Sequence, residues 1–543
     1  DIENTKQIDV VSSLQGKIPG LLITQNNSRP GDFNSTISLR GYGTPMVVVD
    51  GVVRSGGQNF RSGWGGNATL SNDLSVLQEL DANDIESISV LKDASAAIYG
   101  LGAANGVILI TTKKGKIQKP SVSFNANLSL QQPTSIQDKV PLEEYLRWKN
   151  GMIDVAREAG KWSEDDIQKF ASGANEWYDW YDNLTKNVAF TKNFNLSVRG
   201  GSEQIQYYLG LGYADDATVY KTQGFNYDRY NINGNVTAKI TKDLEARFQT
   251  SMRITNTKQP GSYNDLANLT YYLYMCDPTT KPYVKDNPSH FTSVEEHKNP
   301  AAILSTDHEL TTRRSTSFNN TLDLTYTAPF LKGLKLQATG AYDYNVFHNS
   351  QMIHQWDEYD YWTDEWAGIG CGNNDDWKQQ DTYSENWMYN TRLYGRIQAN
   401  YANRFGKHDI QAMLAAETTI QKRYNIGGSR EYGPSAAESF FTHPVLNMGY
   451  APSQKNNGTR SASATAGYLG RINYNYAGKY FVEFMGRYDG TYVYAPGKRW
   501  GFFPSYSLGW RISEENFVKD NIPWLNNLKV RWSDGFTGMV QGS

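Results

Sequence analysis

The sequence predicts a mainly β protein: a transmembrane antiparallel β-barrel preceded by a small α+β domain. Three observations carry that expectation: period-two alternation of apolar and polar residues from Lys119 onward, short and long connections in turn between the alternating segments, and a polar composition rich in aromatics. The 543 residues include 36 Tyr, 14 Trp and 21 Phe, yet mean hydropathy is −0.61. No apolar run approaches the ~18 residues that a membrane helix needs, so a helical membrane protein is excluded. Composition alone leaves a soluble aromatic-rich glycan binder and a barrel both open, because alternating strands keep average hydropathy low. A net charge of −3 gives no basic footprint for nucleic acid.

The alternation is clean. Val122, Phe124, Ala126, Leu128 and Leu130 share one face, and Ser121, Ser123, Asn125, Asn127 and Ser129 the other. Phe194 to Val198, Ile205 to Tyr213, Tyr230 to Ile240 and Leu244 to Ile254 repeat the pattern, and further strands centre on Leu322, Leu336, Ile397, Ala412, Ile472, Val482, Leu508 and Val530. This gives about 13 segments of about 10 residues, the length of a tilted membrane strand. A soluble sandwich would alternate in the same way, so the connections decide. Tight turns at GGSEQ, TKD, PFLKG, RFGKH and AGKY interleave with long loops at 131–189, 257–312, 347–389 and 421–459. Membrane barrels show this asymmetry, with short turns periplasmic and long loops outside. Tyr468, Tyr474, Tyr476, Tyr480 and Trp510 read as an interfacial girdle or as cross-strand pairs. In the first long loop, PLEEYLRWKNGMIDVAREA and SEDDIQKFASG read as helices, with Ser163 an N-cap.

Residues 1–116 lack this regime. DVVSSLQGKI is a helix candidate, PMVVVDGVV and GVILITT are buried-strand runs, and a glycine-rich stretch follows Arg54. A small globular domain ahead of barrel strands suggests a plug in the lumen, dividing the chain into residues 1–116 and 117–543. Cys276 and Cys371 are too few for a disulfide framework or a four-cysteine zinc site, and leave pairing or free thiols open. The seven His show no HExxH spacing, and no nucleophile elbow or phosphate-cradling GxxxxGK is present, so neither an enzyme nor a cofactor is expected. The start DIENTKQIDV lacks the pattern of a signal peptide.

The stretches DVVSSLQGKIPGLLITQNNSRPG, STISLRGYGTPMVVVDGV, NDIESISVLKDASAAIYGLGAANGVILITTKKGK, YLGRINYNYAGKYFVEFMGRYDG and APGKRWGFFPSYSLGWRISEE resemble the SusC/RagA-like TonB-dependent outer-membrane transporters of Bacteroidetes. The resemblance covers nearly the whole chain. It implies a large barrel, 22-stranded when complete, of which plug and roughly the first half are expected here, with a TonB-contacting segment ahead of residue 1. It further implies TonB-dependent import of a bulky nutrient across the outer membrane, an oligosaccharide in first place, captured by a SusD-like surface lipoprotein. Uptake of an oligopeptide, siderophore or vitamin is the alternative, and a non-transporting adhesion barrel a weaker one. Two departures stand out. Leu101 and Gly102 replace the family's serine and arginine, which puts a salt bridge from that arginine to the barrel in doubt, and KVRWSDGFTGMVQGS departs from the family's wording near its end.

Candidate ligand contacts are aromatics whose rings stack on a sugar's apolar face: Trp356, Tyr359, Tyr361, Trp362 and Trp366 in one long loop, with Asn59 and Trp64 in the plug's glycine-rich stretch. Asp357, Glu358, Asp360, Asp364, Glu365, Asp375, Asp376 and Asp381 supply hard oxygen donors, but without EF-hand spacing they read as a solvated acidic face, and no metal is expected.

Overall fold

The computed structural model describes residues 10–25, 35–54, 77, 80–92, 94–134, 136–156, 161–260, 263–307, 309–370, 381–432, 444–522 and 524–538. The N-terminal part is α+β. A helix at Val10–Leu14 leads into β1 (Leu21–Gln25), paired antiparallel with β2 (Ser35–Leu39). A second sheet contains β3 (Met46–Val49), β4 (Val52–Val53), β5 (Ile85–Leu91) and β6 (Val107–Thr112) in the order β4-β3-β6-β5. The runs VVV and VILI make its central strands because both faces are covered. Val47, Val49, Ile108 and Ile110 pack with Val10, Leu14, Ile37 and Leu77 on one side, and Val48 and Val107 with Ala96 and Ala103 on the other. Gly106 ends the turn before β6 at φ +89°, where a Cβ would stand 2.8 Å from the Leu91 carbonyl oxygen.

Thirteen strands form one antiparallel sheet in chain order, as the alternation predicts. They are β7 (Gln118–Gln131), β8 (Ala189–Gly201), β9 (Ile205–Asp216), β10 (Asn226–Lys239) and β11 (Leu244–Pro260), then β13 (Glu309–Thr327), β14 (Leu334–Ile353), β17 (Thr382–Phe405), β18 (His408–Glu431), β19 (Lys455–Tyr476), β20 (Tyr480–Thr491), β21 (Trp500–Arg511) and β22 (Lys529–Gly535). Three short strands lie in the connections: β12 (Phe291–Thr292), β15 (Trp356–Tyr359) and β16 (Trp366–Gly370). β7 and β22 end the sheet order and do not pair with each other among the described residues.

The two faces invert the rule for a soluble sandwich. Val122, Phe124, Leu211, Ile232, Leu324, Ile397, Leu414, Ile472 and Leu508 are exposed, whereas Asn195, Arg229, Asn231, Asp343, Arg392, Arg487 and Asp489 are buried. Apolar side chains cover the outer surface, as lipid requires, and the polar face turns inward against the N-terminal domain. A single row crosses seven strands on the outside: Leu324, Ala338, Ile397, Ala416, Tyr468, Tyr488 and Phe502.

Strand length departs from expectation. β17 and β18 each run 24 residues, against the expected length of about 10. At ~3.3 Å per residue they reach about 80 Å, well past a ~30 Å hydrocarbon core, so their ends on the long-loop side rise clear of it. Alternation does not stop at that boundary, since one face there still packs on loops. The connection 512–528, on the tight-turn side, breaks the short-and-long rhythm with a helix at Asn516–Asn521. Glu515 beside it accepts from Trp510 Nε1 (3.1 Å) and Tyr480 Oη (2.6 Å), so the girdle aromatics are also hydrogen-bonded. Tyr476 and Tyr480 stack across strands at 6.4 Å, so pairing and girdle coexist.

Candidate functional site

At the long-loop end, four connections pack into one cap. The expected helices form at Leu142–Ala156 and Glu164–Ala171, the second capped by Ser163, whose Oγ accepts the Asp166 N–H. Trp180, Tyr181, Leu269, Leu273, Cys276, Phe291, Ile303 and Trp356 make a shared apolar core. Trp180 Nε1 donates to the Asp277 carbonyl (3.0 Å), Lys281 pairs with Glu176 (2.7 Å), and Lys285 with Asp364 (2.9 Å), so the loops are tied to one another. The cap is a built surface, with far more internal structure than the sequence suggests.

The candidate aromatics separate by burial. Trp356 is only 3% exposed, with Nε1 donating to Glu358 Oε1 at 3.1 Å, so it serves the cap's core and offers no ring to a ligand. Tyr359 stacks on the His290 ring at 3.9 Å. Trp362 is 59% and Trp366 61% exposed. Tyr361 stands edge-on to Trp362 at 5.0 Å, and Trp162 from the first loop meets Trp362 at 5.6 Å. Trp362, Tyr361 and Trp162 thus form an aromatic step held from two loops, with Trp366 fixed nearby in sequence by an Nε1 bond to Asp357 Oδ1 (3.1 Å). Asn59, Trp64, Cys371, Asp375 and Asp376 lie outside the described residues.

Five of the acidic loop residues have partners, among them Asp357, bonded by Trp366, and Asp381, paired with His354. Asp364 receives Lys285 and His290, which hold its carboxyl below the usual range, and Asp360 caps the turn through the Trp362 and Thr363 N–H groups. Burial pushes Glu358 up while His297 and Trp356 bind it. No group of three or more His, Cys, Asp or Glu forms a metal-ligand set among the described residues. The Cys276 thiol is buried and pushed up, and is in no disulfide among the described residues.

A second set of residues, which sequence reasoning did not single out, holds the N-terminal domain against the wall. Arg54 pairs with Asp343, which also receives Arg392 (2.9 Å). Asp84 accepts from Tyr208 Oη and Asn233 Nδ2. Arg487 spans Asp489 (2.7 Å), Glu417 and the Ile98 carbonyl (2.8 Å), while Asp489 accepts the Leu101 N–H at 3.2 Å. Leu101 and Gly102 therefore meet the wall through main chain: Gly102 N–H donates to the Gly538 carbonyl at 2.9 Å, and the guanidinium at this clamp comes from the barrel. Strand parity places Arg392, Glu417 and Arg487 on the polar face, but that face carries charges along its whole length, so nothing in the sequence marks these.

Asp84 lies outside the wall strands, and burial, then the neighbouring Asp81 carboxylate, push it up to about 7. Raised above its unfolded value, it binds more protons folded than unfolded between about pH 4 and 7. Its docked form is thus favoured at low pH and loses stability as pH rises through that window. Asp81 and Lys113 are the charged groups acting on it, with Tyr208 and Asn233 bonding from the wall. Amide exchange at 81–91 in chelator-treated buffer is expected to show less protection at pH 8 than at pH 5.5, after correction for intrinsic rates, and Asp84→Asn to abolish that difference.

Comparison with known proteins agrees with this geometry. Residues 1–107 match the TonB-dependent receptor plug domain. The chain is 28% identical to the TonB-dependent receptor SusC of Bacteroides thetaiotaomicron over 97% of its own length and 50% of that protein, and 25% identical to TonB-dependent receptor P39 of Formosa agariphila over 99% of its length and 47% of that protein. The chain spans about half the length of these curated relatives. Among solved structures, the RagAB peptide importer in its closed-closed state superposes with TM-score 0.75 at 20% identity, over 99% of this chain and 60% of that one. The ferric citrate transporter FecA superposes with TM-score 0.53 at 10% identity, over 92% of this chain and 58% of that one. A plug-type domain seated on the polar face of an antiparallel wall is the arrangement of the TonB-dependent receptors that this chain resembles. Within that class the chain is SusC/RagA-like.

Proposed function

We propose that the chain supplies the plug, divided from the wall at residues 116 and 117, and part of the barrel of an outer-membrane importer. Its cargo is a bulky nutrient, an oligosaccharide in first place, moved at the expense of TonB and delivered by a SusD-like lipoprotein at the loop cap. The long loops face outward and the tight turns the periplasm. The observation that carries the reading is the inward polar face closed by a domain held through a few polar clamps, an arrangement that can be released without unfolding a hydrophobic core. The exposed Trp362 step suits a sugar face, since aromatic contacts give about 0.5–1.5 kcal/mol each.

Uptake of labelled oligosaccharides by cells producing the protein, with and without the TonB partner, tests this. Uptake that persists without TonB would sink the import reading, and uptake of labelled oligopeptides in place of sugars would redirect the cargo. Trp362→Ala is expected to weaken oligosaccharide binding roughly 5- to 10-fold with insertion unchanged; unaltered affinity measured by calorimetry would remove Trp362 from the site.

A further inference from the structure

Three neighbouring strands present a repeated pattern toward the plug. Register puts Asn195 of β8, Gly212 of β9 and Asn231 of β10 in one row, and Ser197, Gly210 and Asn233 in the next. Each glycine is a notch for a plug carboxylate. A Cβ at Gly212 would stand 2.7 Å from Asp81 Oδ2, and one at Gly210 would overlap Asp84 Oδ1. Both acids are 1% exposed.

The first notch is unbalanced. Asp81 Oδ1 accepts from Asn83 N (2.8 Å) and Nδ2 (2.9 Å), but Oδ2, the atom in the notch, has no hydrogen bond among the described residues. On either side, Asn195 is 1% and Asn231 4% exposed, and neither the oxygen nor the nitrogen of either amide has a partner. A buried polar group left unpaired costs about 1–3 kcal/mol, so amides flanking a half-free carboxylate mark a place built for an occupant. Asp84 lies in the next notch, where Tyr208 Oη and Asn233 Nδ2 already bond its two oxygens. The excess is of oxygen donors and negative charge, which selects a cation.

We propose that this row binds one divalent cation of the calcium class, held by the Asp81 carboxylate of the plug and the Asn195 and Asn231 amide oxygens of the wall. Calcium accepts six to eight such oxygens in irregular geometry and shares its shell with water, whereas magnesium demands a tight octahedron. Because its donors come from both parts of the chain, the ion clamps plug to wall.

The full chain, purified in detergent and stripped with a chelator, is titrated with Ca²⁺ by calorimetry and with Tb³⁺ by tyrosine-sensitised luminescence; Tyr208, bonded to Asp84, is the sensitiser. One Ca²⁺ per chain is expected, displacing Tb³⁺ emission. Asp81→Asn is expected to weaken binding by about tenfold or more, and Asp364→Asn in the loop cap to leave it unchanged. Asn195→Leu takes away a donor with no protein bond to lose, and is expected to weaken binding comparably even if Asp81→Asn does not fold. Absence of Ca²⁺ binding, or binding that Asn195→Leu leaves intact, overturns the proposal.

Discussion

Replacing Arg487 with methionine is expected to loosen the plug from the wall. The guanidinium lies with 7% of its side chain exposed, and Nε and Nη1 donate to Asp489 and to the Ile98 carbonyl of the plug. Asp489, 3% exposed, has no other ion-pair partner among the described residues, whereas Glu417 keeps Arg396 at 3.7 Å. Methionine fills a similar volume but strands the Asp489 charge and the plug carbonyl, and breaking one side of a buried pair costs about 3–5 kcal/mol. The wall barely shifts, since its ladders are intact, so the loss falls on docking. Hydrogen exchange across 94–106 is expected to speed up by roughly a hundredfold or more, while β17 and β18 stay protected. Gly100 corroborates the geometry: at φ +75°, a Cβ there would collide with Arg487 Nε, so Gly100→Ala is expected to reproduce the effect. Unchanged exchange in both variants would mean that the clamp does not hold the plug.

The second large effect belongs to the outer face. Ile397 is 67% exposed in β17 and sits in the seven-strand apolar row between Ala338 and Ala416. In water, arginine at such a position would be neutral or helpful. In a bilayer it costs about 2–4 kcal/mol near the midplane, and folding into lipid vesicles is expected to lose that much stability for Ile397→Arg. Leu334, near the tight-turn end of β14, is the depth control, where arginine should cost about 0–1 kcal/mol. Equal effects at both depths would argue against a membrane setting.

These two residues show what the sequence made legible. Ile397 and its neighbours were readable because lipid outside and polar contacts inside impose a strict two-residue period, and the same logic located all thirteen strands. The turns at Gly406 and Gly478 were readable from their glycines at positive φ. Strand length was hidden, because β17 alternates just as well above the bilayer as within it. The cap was hidden for another reason: Trp356 and Trp362 belong to one aromatic run, and only packing from distant loops makes the first a core residue and the second a surface. Arg487, Asp489, Asp81 and Asn195 were invisible because a clamp is defined by what stands opposite, and register with the plug leaves no periodic trace.

The central claim is that the wall puts its apolar face in lipid and its polar face against a plug. Nitroxide labels placed singly along β17 in lipid vesicles test it most directly, at Leu393, Ile397 and Ala399 on one face and at Tyr394, Gln398 and Asn400 on the other. High oxygen accessibility and little contact with a water-soluble nickel reagent at the first set, with low oxygen accessibility at the second, is the expected result. A strand whose apolar set meets the nickel reagent as freely as its polar set would contradict the account.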